Sequence, residues 1–132
     1  MTDYRTQIQT DQTTHVEAAA FPPLVPISVK NASDAVDQPY KNCVLNAVND
    51  HCVRMAVMIG EYRWHYHPRS DETFLVVEGA LEIDLDGGRT ITLAPGELFT
   101  IPAGVHHRTR ANVRTVNLCF ESLGAYTDVI FL

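Results

Sequence analysis

An antiparallel β-sandwich or β-barrel is the fold class that this 132-residue chain predicts. Three observations carry the prediction. From Cys43 onward the apolar residues fall in short runs of strand length, and within residues 80–86 Leu81, Ile83 and Leu85 alternate with Glu82, Asp84 and Asp86. The runs are separated by Asp86-Gly87-Gly88 and Pro95-Gly96, residue types that suit tight turns. With 45% apolar residues the chain can bury a core without disulfides or a structural metal. One domain is expected, and no internal repeat is visible.

The elements follow in order. Residues 1–23 begin Thr-, Gln- and Asp-rich and end in Phe21-Pro22-Pro23, so they read as an arm, mobile or packed on a partner. Residues 24–132 form the barrel. Residues 24–29 read as a first strand, and residues 31–40 as a turn-rich connection with one helical turn capped by Ser33. Strands over 44–48 and 52–59 flank Asn49-Asp50, a hairpin turn. Strands over 62–67 and 73–78 enclose a loop at 68–71. Along 80–86, Leu81, Ile83 and Leu85 point inward while Glu82, Asp84 and Asp86 point outward. Ile91 and Leu93 face inward from the next strand, and strands over 98–101, 106–109 and 113–121 complete the sheet.

The chemistry concentrates around His65, His67 and Glu72. Residues i and i+2 of a strand share a face about 6.7 Å apart, so His65 and His67 can converge on one ion near a strand end. Glu72 adds an anionic oxygen, and His106 or His107 supplies a third imidazole; alternation sends these two to opposite faces. Such a nitrogen-and-oxygen set suits Mn, Fe, Ni, Cu or Zn, and no cysteine lies in either segment to make a thiolate site. His15 and His51 read as hydrogen-bonded core residues. The parity of His65 and His67 places Arg63 on their side, where it would orient an anionic or carbonyl-bearing substrate or join a surface ion pair. Tyr62, Trp64 and Tyr66 fall on the other side, packed on the N-terminal arm or in a dimer interface. Phe74 and Val76, with Leu81, Ile83 and Leu98 or Phe99, are expected to make a small, largely dry pocket wall, Phe74 contacting substrate.

Composition excludes several classes. A formal net charge of −6 opposes binding to nucleic acid, and the basic residues Arg108, Arg110 and Arg114 read as a solvated edge balanced by the acidic strand at 82–86. No stretch is long and apolar enough to span a membrane, and the opening Met1-Thr2-Asp3-Tyr4-Arg5 lacks the pattern of a signal peptide. Cys43, Cys52 and Cys119 are odd in number and embedded in apolar runs, as expected of reduced, packed thiols in a cytoplasmic protein.

Two motifs resemble those of the small single-domain cupins. Gly60, His65, His67, Glu72 and Gly79 match the first, with one residue fewer than usual between Gly60 and His65. Gly96, Pro102, Gly104 and His107 match the second; Ala111 stands where the family has an asparagine, and Asn112 follows one position late. The resemblance narrows the fold to an all-β double-stranded β-helix, a jelly roll. It selects His107 over His106 and implies one divalent metal ion per chain (Fe, Mn, Ni or Zn) held by His65, His67, Glu72 and His107. It further implies a homodimer that exchanges N-terminal strands. Similar members are labelled mannose-6-phosphate isomerase-like, but a phosphate site needs converging cations and the expected pocket offers only Arg63. Three functions remain. One is a metal-dependent dioxygenase, isomerase or lyase acting on a small organic molecule, with Glu72 as ligand or base. The others are a non-catalytic metabolite-binding or sensing protein and a metal-free sugar isomerase or epimerase.

Overall fold

The structure is a computed structural model that describes residues 18–125 and 127–132. His15 and most of the expected arm lie outside the described residues. Among the described residues one short helix, α1 (Val29–Asp34), precedes nine strands: β1 (Tyr40–Val48), β2 (His51–Glu61), β3 (His65–Tyr66), β4 (Glu72–Glu78), β5 (Leu81–Leu85), β6 (Arg89–Leu93), β7 (Leu98–Ile101), β8 (His107–Ser122) and β9 (Ile130–Phe131). All pairings are antiparallel. The long strand β8 organises them, pairing with β2, β3, β4 and β5. The expected strands over 106–109 and 113–121 are therefore one element. Arg110 and Ala111 continue the ladder between them by pairing with Glu61 and Gly60.

Residues 24–29 do not form the expected first strand. Pro22, Pro23 and Pro26 deny the segment ladder donors, and Leu24 takes a left-handed φ of 67°. The helix starts earlier than expected and is capped by Ser28, whose side chain accepts the Asn31 N–H at 3.1 Å. Ser33 is buried instead, donating to the Lys30 carbonyl, while its own carbonyl accepts Arg114 Nη2 at 2.6 Å. Before the helix, Ala20 and Phe21 donate backbone N–H groups to Val44 and Leu45 of β1.

Two apolar clusters result. Inside the barrel lie Met58, Phe74, Val76, Leu81, Ile83 and Leu93. On the outer face of β1, β2 and β8, Leu45, Met55, Val57 and Val116 are covered by Phe21, Ile27, Val29, Ala32 and Val36. Strand β2 is thus buried on both faces, which explains its unbroken apolar run Met55-Ala56-Val57-Met58. Leu98 is 62% exposed and Phe99 packs on the interior cluster, so Phe99 is the inward member of that pair. All three cysteines are thiols: Cys43 is half-buried and Cys52 and Cys119 are buried. His51 is not a core residue; its exposed ring meets Asp50 at 2.8 Å. Among the described residues no helix is long and apolar enough to cross a membrane.

Asp84 lies on the outer face as alternation requires, yet it is only 8% exposed. Arg108 and Arg110 lie over it, each donating Nε to Oδ2 at 2.8 Å, and Thr90 donates to Oδ1 at 2.7 Å. Arg110 also pairs with Glu82, and Arg114 with Glu78, so this basic edge is neutralised within the chain. The hydrogen bond from Arg110 holds the Asp84 carboxyl well below its ordinary 3.8, against burial, with Thr90 and Arg108 adding to it. The folded state therefore releases this proton more readily than the unfolded chain, and the stabilisation is present above about pH 4 and lost as pH falls further. In Asp84→Asn, urea unfolding followed across acid pH should show a shallower loss of stability below pH 4 than wild type. Parallel curves would remove Asp84 from the acid limb.

Candidate metal centre

His65 on β3 and His107 on β8 are Cα partners, so the ladder itself brings the first and second motif segments together. The chain on either side is pinned. Asp128 accepts the Arg69 N–H and the Ser70 hydroxyl, both at 2.9 Å; Gly104 donates its N–H to the His67 carbonyl at 2.8 Å; Ala103 donates to Asp71 Oδ1 at 2.9 Å. Glu72 enters from the first position of β4. His65, His67, Glu72 and His107 are all buried, and their ligating atoms lie within 4.8 Å of one another. Donors about 2.1 Å from one ion lie roughly 3–4 Å apart, so slight closure brings this cluster to ligand geometry. His106 faces away, stacked on Tyr66 with centroids 4.5 Å apart.

The hydrogen bonds fix which nitrogen each ring offers. Nδ1 of His65 meets the Arg63 carbonyl at 2.7 Å, Nδ1 of His67 the Asp128 carbonyl at 2.7 Å, and Nδ1 of His107 the Val105 carbonyl at 2.9 Å. A carbonyl only accepts, so each Nδ1 carries a hydrogen and Nε2 is the nitrogen each ring can turn to an ion or a shared proton. Those Nε2 atoms meet the carboxylate: Glu72 Oε1 lies 3.2 Å from His107 Nε2 and 3.8 Å from His67 Nε2. Two acceptors this close need a proton or a cation between them. Burial, aided by the charge of His107, pushes His65 down to about 4, so it is neutral at pH 7. Three imidazole nitrogens and one carboxylate oxygen fit a divalent Mn, Fe, Ni or Zn ion.

A second set of groups abuts the first. Glu121 is the Cα partner of Glu72 across β4 and β8, and Cys119 Sγ donates to Glu72 Oε2 at 3.1 Å. One oxygen of Glu72 thus faces the histidines and the other is held by a thiol. Burial and the neighbouring carboxylates push the Cys119 thiol up, so it stays protonated. Burial of Glu72 opposes its ionisation, but the His107 hydrogen bond and the charge of His67 hold the carboxyl below its ordinary value. Glu121, buried against that charge, is pushed up to about 8, with Arg54 opposing; Arg54 Nε donates to Glu121 Oε1 at 2.8 Å.

These groups open into a pocket of about 600 Å³, counting its mouth. Tyr40, Asn42, Arg54, Tyr62, Phe74, Thr109, Asn117, Cys119 and Glu121 line it beside His65, His67 and Glu72. Its wall is more polar than expected. Phe74 lines it, whereas Val76, Leu81 and Ile83 belong to the packed interior and neither Leu98 nor Phe99 reaches it. Arg63 also lies elsewhere, its guanidinium 4.5 Å over the Phe131 ring, and the guanidinium in the pocket is that of Arg54. The parity behind the Arg63 expectation fails because residues 62–64 are not strand: Tyr62 N–H turns in to the Thr109 carbonyl at 2.9 Å. Tyr62 consequently stacks on His65 with centroids 5.0 Å apart and leaves no common outer face with Trp64 and Tyr66. Asn117, Cys119 and Glu121 share the parity of His107, so treating 107–121 as one strand would have found them.

A jelly roll with three histidines and a glutamate gathered inside it, beside an open pocket, defines a β-barrel protein with a cluster able to hold a metal ion. The chain belongs to the cupin family: the family model described as Cupin domain matches residues 53–120. It is 49% identical over 98 residues to the uncharacterized protein YdbB of Bacillus subtilis (strain 168), a match covering 74% of this chain and 87% of YdbB. Over 46 residues it is 50% identical to the polyketide synthase CurC of Streptomyces cyaneus, covering 35% of this chain and 29% of CurC. The crystal structure of a cupin-2 domain containing protein from Shewanella frigidimarina NCIMB 400 superposes with a TM-score of 0.69 at 31% identity, covering 73% of this chain and 93% of that one.

Proposed function

We propose that this cupin is a metal-dependent enzyme: it holds one divalent ion (Fe, Mn, Ni or Zn) on His65, His67, Glu72 and His107 and acts on a small organic molecule. One observation carries the reading. Each of the three histidines has Nδ1 tied to a backbone carbonyl, so each has only Nε2 to offer an ion, with Glu72 among them in a pocket open to solvent. Four protein ligands leave two positions on a six-coordinate ion, the mark of a working rather than a structural site. When bound, such an ion supplies Lewis acidity and, if iron, redox chemistry with O₂. The chain's own groups do the rest. Glu72 is the ligand best placed to act as a base, Glu121 keeps a proton beside it, and Phe74 gives the substrate an apolar wall.

The reaction is of dioxygenase, isomerase or lyase type. The short match to a polyketide synthase makes polyketide-like molecules, bearing carbonyls and hydroxyls, the first substrates to try. The proposal includes a cytoplasmic homodimer, for which the exposed Val77, Leu98 and Val113 offer apolar surface; a monomer-sized species in light scattering overturns the dimer. The test of function is elemental analysis of protein purified without chelator, followed by turnover assays. About one ion per chain, with turnover lost on chelation, is the expected result. Tight metabolite binding without turnover would make the protein a binding or sensing module. Activity that survives chelation would make it a metal-free isomerase.

A further inference from the structure

Asn117 is 2% exposed, lines the pocket and takes no part in the ligand cluster. Its Nδ2 approaches Met58 Sδ at 4.0 Å. A thioether only accepts, so the amide N–H end belongs on that side. Its Oδ1 is buried with no hydrogen-bond partner. Native interiors seldom tolerate such an orphan, because a buried carbonyl stripped of water and given no donor opposes folding. Asn117 stands opposite Val76 across β4 and β8, whereas Glu121 stands opposite Glu72. Four residues of strand separate the two positions, about 13 Å along the barrel wall. Between them lie Phe74 and Cys119, a Cα pair.

We propose that Asn117 Oδ1 is a substrate-recognition acceptor, and that the natural ligand presents an O–H or N–H donor to it at the end opposite its metal-binding end. The inference rests on the metal-dependent reading above and specifies the substrate class for the same pocket. The ligand is an elongated small molecule with oxygen donors for the ion at one end, an apolar middle against Phe74 and a hydroxyl or amino group at the other. Ligand binding supplies the hydrogen bond that the ligand-free fold lacks.

The test uses the full chain loaded with nickel and catechol probes whose vicinal oxygens reach the ion. Each probe carries at ring position 4 a tail of two, three or four carbons ending in either methyl or hydroxyl. For wild type, at least one hydroxyl-ended probe should bind about tenfold more tightly than its methyl twin, the size of one well-made hydrogen bond. In Asn117→Leu that preference should vanish while nickel content stays at the wild-type level. The metal-free variant should melt at or above wild type, since the orphan is gone. If Asn117→Leu fails to fold, Asn117→Ala gives the same comparison. A hydroxyl preference unchanged in the variant, or absent at every tail length in wild type, overturns the proposal. Failure of the metal reading would look different, because wild type itself would take up no nickel.

Discussion

Replacing His67 with alanine should cut metal affinity by at least about a hundredfold, because the loss of even a residue supporting a ligand costs tenfold to a hundredfold. Elemental analysis of the purified variant should find less than about a tenth of wild-type metal. The reason lies in how His67 is held: its Nδ1 meets the carbonyls of Asp128 at 2.7 Å and Ala125 at 3.1 Å, which leaves Nε2 nothing to do but face Glu72. The fold should survive. His67 lies just past the end of the two-residue strand β3, and Asp128 still anchors the Arg69 N–H and the Ser70 hydroxyl without it. The loss of stability in the metal-free protein should be about 1 kcal/mol, the worth of the hydrogen bonds removed. Unchanged occupancy would take His67 out of the ligand set. A variant that fails to fold would make it a structural residue instead.

Gly79→Ala should destabilise the protein by about 3 kcal/mol or more, through two independent penalties. Gly79 has a φ of +87°, a conformation strained for any residue with a Cβ. The added carbon would also lie 2.5 Å from the Arg114 carbonyl oxygen and 2.6 Å from Thr115 Oγ1. Neither can yield cheaply. Arg114 O is backbone of β8, and the fully buried Thr115 hydroxyl donates to Ala80 O at 3.0 Å while accepting the Ala80 N–H at 3.1 Å. The glycine closing the first motif therefore lets β4 turn into β5 against β8. Chemical denaturation should show a lower midpoint with an unchanged slope. In Gly87→Ala, where an added Cβ meets nothing within 4 Å, only the strain of a φ of +89° should cost stability. Equal effects at the two positions would refute the close-contact argument.

Taken alone, the sequence determined whatever depends on local period and spacing. The alternation of Leu81 and Ile83 with acidic residues, the turns at Gly87-Gly88 and Pro95-Gly96, and strand β7 at Leu98–Ile101 all stand as expected. The gathering of His65, His67, Glu72 and His107 was legible too, because the strand period pairs His65 with His67 and the resemblance to the cupin motifs selects His107 over His106. Asp84 kept its facing but not its exposure, since the arginines that cover it come from a strand more than twenty residues away. Residues 24–29 misled because an apolar run with proline among it reads as an edge strand until the chain's path is known.

Only the tertiary structure decided the rest of the pocket. Parity holds only while a strand continues: it failed across 62–64, exchanging Arg63 for Tyr62, and it was not carried through 107–122, which hid Asn117, Cys119 and Glu121. Arg54 reached the site because β2 pairs with β8 in the register that sets it opposite Cys119, a partnership of residues 65 positions apart. Which side chains meet across such distances is set by strand register and barrel closure, global properties to which no local period has access.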